Sequence, residues 1–206
     1  MDRRDVEITE KQTVYQGYFR VDAYRLRHRL HAGGWSRELR REVFERGHAA
    51  AVLPYDPDRD TVLLLEQFRI GAYLADLPPW QTEVVAGIID EGETAETVAV
   101  RETREETGCD ILDLVPICRY LSSPGGMTES VALFCGRIDS RNAGGIHGLA
   151  DEQEDIRVEV VPANAVAGLL EQGKIGNAVT IIALQWLLLH RDALRRRWGQ
   201  VDSADR

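Results

Sequence analysis

Residues 87–109 read GIIDEGETAETVAVRETREETGC. Gly87, Glu93, Arg101, Glu102, Glu105, Glu106 and Gly108 stand here at spacings that decide how the rest of the chain is read. Thr94 suits an N-cap and Gly108 a stop, so the stretch predicts a helix over 94–107. On a helix turning about 100° per residue, Glu106 lies about 40° to one side of Glu102 and Glu105 about 60° to the other. Val98, Ala99 and Ala95 fall in the same sector one and two turns earlier. A solvated acidic face should not prolong an apolar stripe.

Glu102 and Glu106, four apart, repel by roughly a few tenths of a kcal/mol. Like charges this crowded push a carboxyl towards neutrality. A divalent cation removes the conflict, because Mg²⁺ takes few carboxylates, keeps waters and bridges to phosphate oxygens. Arg101, four residues before Glu105, is placed to hold that carboxylate and orient the others. Gly87 lets the backbone approach closely, so a neighbouring carbonyl can reach the same ion. Three glutamates alone more often make a charged surface helix with i,i+4 pairs. The full seven-residue pattern is what sets this segment apart.

Working outward, residues 18–30 alternate in strand fashion, and Ala32-Gly33-Gly34 reads as a turn. The pattern continues over 37–54, with a strand at 49–53 and a turn at 54–60. TVLLLEQFRI (61–70) is almost continuously apolar, which predicts a central strand. Residues 71–80, with Pro78, Pro79 and Trp80, read as a loop, and 83–89 as a short strand. Further strands are expected at 111–121, 129–138 and 156–161, and helices at 163–172 and 177–197. The long polar stretch SRNAGGIHGLADEQED between the last two strands is of the kind that carries function. The expected fold is α+β, a mixed sheet between helices, with a separate antiparallel β unit first. The expected divisions are 1–47 for that β unit, 48–198 for the catalytic domain and 199–206 for a frayed tail.

The chain has 206 residues, 44% hydrophobic and 29% charged, which excludes disordered, collagen-like and disulfide-scaffold classes. Its formal charge of −9 argues against a general nucleic-acid-binding surface, although a few arginines can still hold one small anion. Cys109, Cys118 and Cys135 form no CxxC pair and read as small hydrophobes in a reducing compartment. MDRRDVEITEKQ has no signal-peptide core, and the apolar run Ala178–Leu189 is too short to span a bilayer. The expectation is a cytoplasmic protein with no membrane and no nucleic-acid partner.

Residues 87–109 resemble the signature box of the Nudix family, hydrolases that cleave a nucleoside diphosphate linked to another moiety. Thr103 and Cys109 stand where that family usually carries bulky aliphatics. Neither departure removes a carboxylate, but a buried Thr103 needs a hydrogen-bond partner. Pro124, in SSPGGMTES fifteen residues past the box, is similar to the proline that marks members cleaving ADP-ribose. RREVFERGHAA (40–50), EQFRI (66–70) and GLADEQEDIRV (148–158) resemble the same branch. The resemblance extends over residues 4–198.

By that resemblance the fold is an α/β/α sandwich, and the reaction is Mg²⁺-dependent hydrolysis of ADP-ribose to AMP and ribose 5-phosphate. It implies two or more Mg²⁺ ions, with Mn²⁺ as a substitute, and a homodimer whose exchanged N-terminal strands share the active sites. Glu102, Glu106, Glu154 and the Ala86 carbonyl match metal ligands, and Glu105 supports them. Glu152 on the long loop matches the general base. Arg41 and Arg69 match diphosphate-holding residues, Glu129 and Tyr18 positions near the nucleotide, and Gly87, Glu93 and Gly108 the box framework.

The residues alone leave several of these roles open. Arg40 stands beside Arg41, Tyr18 suits plain sheet packing equally well, and Trp80 reads as a loop anchor. Arg69 closing an apolar strand is more pointed, because an arginine there needs an anionic partner. His48 and His147 read as structural, since Mg²⁺ prefers oxygen. Rival readings are another nucleoside diphosphate sugar such as GDP-mannose, a dinucleoside polyphosphate, or a module that binds ADP-ribose without cleaving it.

Overall fold

The computed structural model describes residues 1–149 and 153–199. The chain divides into two compact units, Met1–His48 with Leu121–Ser130, and Ala49–Tyr120 with Val131–Arg206.

The first unit is a three-stranded antiparallel sheet of β1 (Val6–Gln16), β2 (Arg20–His28) and β3 (Leu39–Glu45), in that order. Tyr24 lies opposite Lys11 on one side and Arg41 on the other. Leu121–Ser130 joins this sheet where the Phe44 N–H donates to the Gly126 carbonyl at 2.8 Å. Asp22 is fully buried within the unit, where Thr13 Oγ1 donates to it at 2.8 Å and Lys11 and Arg20 pair with it at 3.0 and 3.1 Å. Apart from Asp22, its buried residues are Ala23, Glu129 and Ser130. Apolar material on β1 stays exposed, at Val6, Ile8, Val14 and Tyr15.

The second unit contains β4 (His48–Asp56, from Ala49), β5 (Thr61–Phe68), α1 (Ile70–Leu74), β6 (Trp80–Glu83), β7 (Val85–Ile89) and α2 (Ala95–Thr107). There follow β8 (Asp113–Leu121), β9 (Ser130–Arg137), β10 (Gly145–His147), β11 (Ile156–Pro162), α3 (Val166–Glu171) and α4 (Ala178–Gly199). The sheet order is β10-β11-β5-β4-β9-β8, with β6 on β5 and β7 on β4. β9 runs parallel to β4, whereas β5 runs antiparallel to β4, β6 and β11, so the sheet is mixed.

Side-chain alternation sorts the strands into two cores. Leu53 and Tyr55 of β4 and Val62 and Leu64 of β5 pack with Leu184, Leu187 and Trp198 of α4. Ala50, Val52, Leu63 and Leu65 face the other way and pack with Val98 and Ala99 of α2. Helices therefore cover both faces, giving an α/β/α sandwich. The far end of α4 is tied to the β4–β5 turn, where Tyr55 Oη and Arg191 both donate to Asp60.

Five features differ from the sequence reading. That reading assigns no strand before residue 18, yet the polar strand VEITEKQTVYQ forms because β2 supplies its partner rather than because a core buries it. The expected loop 71–80 begins with the short α1, and the strand expected over 83–89 is two strands, β6 and β7, meeting at Val84. The long polar stretch contains β10, three residues paired with β11. Gly199 ends α4, and residues 200–206 of the expected tail lie outside the described residues.

Candidate functional site

α2 forms where local chemistry demands it. The Thr94 hydroxyl accepts from the Thr97 N–H at 3.2 Å and the Thr97 side chain reaches back to the Thr94 N–H, a reciprocal cap. Gly108 closes the helix at φ 70°, where its N–H meets the Arg104 carbonyl at 2.9 Å. Glu93 accepts from the Asp90 N–H at 3.1 Å and lies 3.5 Å from Arg101, so it braces the turn that leads into the helix. The two box threonines on the buried face are satisfied internally, Thr103 Oγ1 on the Ala99 carbonyl at 2.7 Å and Thr107 Oγ1 on the Thr103 carbonyl at 2.5 Å.

Glu106 is the most enclosed acid of the helix, with 3% of its surface exposed. Its Oε2 accepts from the Ala86 N–H at 3.3 Å, which ties α2 to β7. Burial pushes its pKa well above the ordinary carboxylate range. Glu102 and Glu154 push it further, and the Ala86 N–H and Arg69 only partly oppose them. Glu102 is pushed up to about 7, mainly by burial, with Glu105 and Glu154 adding and Arg101 opposing. Arg101 Nη1 is 2.9 Å from Glu102 and 3.1 Å from Glu105, so the expected Arg101–Glu105 pair forms and Arg101 also holds Glu102. Gly87 makes room for this arrangement, because a Cβ at that position would run into the Glu102 carboxylate as it now lies.

Arg69 meets Glu83, with Nε and Nη2 at 2.9 and 2.8 Å from Oε2, and Gln67 adds a third donor at 3.3 Å. Glu83 is a residue the sequence reading did not single out. Its local signal was a glutamate directly before the apolar Val84-Val85-Ala86, whereas the pairing that sets its strand beside the one leading to Arg69 is visible only in the structure. On the polar loop, Glu154 Oε2 accepts from the Leu149 N–H at 3.3 Å, while its own N–H donates to the Leu149 carbonyl at 3.2 Å. Glu152 lies outside the described residues.

The remaining expected residues lie in the first unit. Tyr18 is 87% exposed and meets the Phe19 ring edge-on at 4.8 Å. Arg41 is exposed, with Nη1 on the Arg40 carbonyl at 2.9 Å. Pro124 is exposed, and the buried Glu129 pairs with Arg46 at 3.1 Å. His147 bonds the Gly144 carbonyl, and His48 bonds Ser130, which are structural roles.

Among the described residues, no three His, Cys, Asp or Glu side chains converge tightly enough to enclose an ion. Glu102 is turned towards Arg101 and Glu154 towards the Leu149 N–H. The chemistry of the set nevertheless fits a hard cation. Its donors are oxygens only, and burial together with neighbouring carboxylates pushes Glu102 and Glu106 up, with Arg101 and Arg69 opposing only in part.

Comparison with known proteins identifies the family. A family model described as the NUDIX domain matches residues 45–184. A protein named ADP-ribose pyrophosphatase from Escherichia coli strain K12 is 52% identical over 197 residues, covering 96% of this chain and 94% of that protein. One of the same name from Haemophilus influenzae is 42% identical over 95% of this chain and 92% of its own length. A GDP-mannose pyrophosphatase from Cronobacter sakazakii is 34% identical over 73% of this chain and 78% of its own length. A crystal structure described as an ADP compounds hydrolase superposes with a TM-score of 0.68 at 21% identity, with 96% of each chain covered, which shows the shared fold. The glycine that admits a carboxylate, the capped helix that carries it and a family match across most of the chain point the same way: this chain belongs to the Nudix family.

Proposed function

We propose that the protein hydrolyses the diphosphate of ADP-ribose to AMP and ribose 5-phosphate in a reaction dependent on Mg²⁺. The observation that carries this is Glu106, an acid 3% exposed, with Glu102 and Glu154 as charged neighbours and Arg69 within electrostatic reach. A helix that buries acids in this way favours a bound cation, and an arginine beside them favours an anionic substrate. The relatives named ADP-ribose pyrophosphatase are 52% and 42% identical, against 34% for the GDP-mannose pyrophosphatase, which supports an ADP-sugar.

Glu102, Glu106, Glu154 and the Ala86 carbonyl are the groups that would hold the ions. Held there, a divalent cation would supply positive charge to the diphosphate and would make a nearby water more acidic. Arg101 orients Glu102 and Glu105, and the Ala86 N–H fixes one oxygen of Glu106, leaving the other for a ligand. Arg69, steadied by Glu83, meets the diphosphate. Glu152 accepts the proton of the attacking water. Arg41 joins Arg69 on the diphosphate, Tyr18 and Glu129 lie near the nucleotide, and Pro124 adds to the substrate-binding set.

A homodimer with shared sites belongs to the same proposal. Its support is β1, whose eleven residues are all exposed although Val6, Ile8, Val14 and Tyr15 are apolar. The function is tested by incubating the protein with ADP-ribose, GDP-mannose and diadenosine polyphosphates, with and without chelator, and separating the products. The expected outcome is preferential, chelator-sensitive release of AMP from ADP-ribose. Faster turnover of GDP-mannose would overturn the substrate, and tight ADP-ribose binding without phosphate chemistry would overturn the activity.

A further inference from the structure

β4 and β5 pair at only two positions beside their turn, Tyr55 with Val62 and Asp56 with Thr61. Beyond these the chain of β6 and β7 is shared between them, β6 on β5 and β7 on β4. The change of partner falls at Val84, which is 1% exposed and belongs to neither strand. A buried backbone donor at such a point needs an acceptor. The Val84 N–H finds it in Thr180 Oγ1 of α4, at 3.0 Å and 96 residues away. Thr180 is itself fully buried, and its own N–H is capped by Asn177 Oδ1 at 3.0 Å. Asn177 Nδ2 donates to the Thr82 carbonyl at 2.9 Å. Gly176 completes the grip, because a Cβ there would come within 2.8 Å of the Gln81 side chain.

We propose that Asn177 and Thr180 are positioning residues that set the β6–β7 break and thereby hold the two arms of the site in register. One arm, on β6, is Glu83 with Arg69. The other, on β7, is Ala86 and Gly87, set against Glu106 and Glu102 of α2. Only Val84 and Val85 separate Glu83 from Ala86, so a change of backbone angle at Val84 moves the arginine relative to the carboxylates. The side chains of Asn177 and Thr180 act through this backbone. The assignment rests on the metal-and-diphosphate reading above.

The two hydrogen bonds can be removed with little disturbance elsewhere. Asn177→Asp keeps the oxygen that caps the Thr180 N–H, and aspartate is as good an N-cap as asparagine, but the donor to the Thr82 carbonyl is lost. Thr180→Val keeps the shape and loses the acceptor for Val84, whereas Thr180→Ser keeps the acceptor.

The experiment is a titration of each variant with Mn²⁺, followed by electron paramagnetic resonance, beside melting curves and the kcat and KM for ADP-ribose with Mg²⁺. Losing one hydrogen bond, part-buried at Asn177 and buried at Thr180, predicts Mn²⁺ affinity weakened about three- to tenfold in Asn177→Asp and Thr180→Val. The expected kcat falls by a similar factor, with KM changed less. Asn177→Asp should melt only about 2–4 °C below the wild type, the loss of one part-buried hydrogen bond, and Thr180→Ser should restore Mn²⁺ affinity and kcat to within about twofold. Wild-type Mn²⁺ affinity and kcat in Asn177→Asp would overturn the proposal, and that variant decides the matter if Thr180→Val fails to fold. Failure of the wild type to cleave ADP-ribose would refute the function and leave the Mn²⁺ comparison intact as the test of the clamp.

Discussion

The backbone N–H of Ala86 donates to Glu106 Oε2 at 3.3 Å, which ties the strand preceding the box to the most buried acid of its helix. That acid is held by one N–H in a setting that burial, Glu102 and Glu154 all make hostile to its charge. The site is thus built at a cost to the metal-free protein, and the cost can be measured.

Replacing Glu106 by Gln removes the charge and keeps the shape. The folded-state pKa of Glu106 is raised, so its contribution to metal-free stability is fully present below the ordinary carboxylate pKa and is lost as pH rises through the raised value. In chelator at pH 8, Glu106→Gln should melt above the wild type, and the difference should vanish near pH 4. Its kcat at saturating Mg²⁺ should fall at least about 100-fold. Differential scanning calorimetry and steady-state kinetics check the two halves separately.

Gly87→Ala places a methyl group where the Glu102 carboxylate now lies. The carboxylate must turn away or the strand must shift, at about 1–3 kcal/mol of strain. Because the displaced group is a proposed ligand, activity should drop by at least about tenfold, the loss a displacement of this kind brings. A Mg²⁺ dependence of rate checks it, with the half-saturating concentration moving upward.

Thr103→Val tests the departure from the family pattern. The Thr103 hydroxyl bonds the Ala99 carbonyl, which the helix ladder already satisfies. Its loss leaves no buried group unpaired, so stability should change by less than about 1 kcal/mol, or about 2–4 °C in Tm. A melting curve and an unaltered kcat are the expected outcomes.

Glu152→Gln separates proton transfer from metal binding. If Glu152 takes the proton, kcat falls by about 100-fold or more while Mn²⁺ affinity stays put. If metal affinity alone suffers, Glu105, already paired to Arg101, becomes the first alternative base.

The parts that the sequence made legible are those fixed by neighbours in the chain. α2 begins at the expected Thr94 cap and ends at the expected Gly108, because both signals act within one turn. The crowding of Glu102 and Glu106 followed from helical spacing alone. Glu105 shares their sector in projection and meets the same Arg101 that holds Glu102. The break at Val84 could not be read locally, since its cause is a hydroxyl 96 residues further on. β1 escaped because it is stabilised by pairing with β2, and Glu10 and Gln12 interrupt the alternation of Val6, Ile8 and Val14 that would reveal it.

The central claim is that Glu102 and Glu106 hold a divalent cation in the protein as it folds. Calorimetric titration of Mn²⁺ into the wild type and into the Glu102→Gln, Glu106→Gln double variant tests this most directly. The account predicts saturable binding to the wild type and affinity at least about tenfold weaker in the variant, a difference of about 1.4 kcal/mol or more. Equal affinity in the two proteins would contradict it.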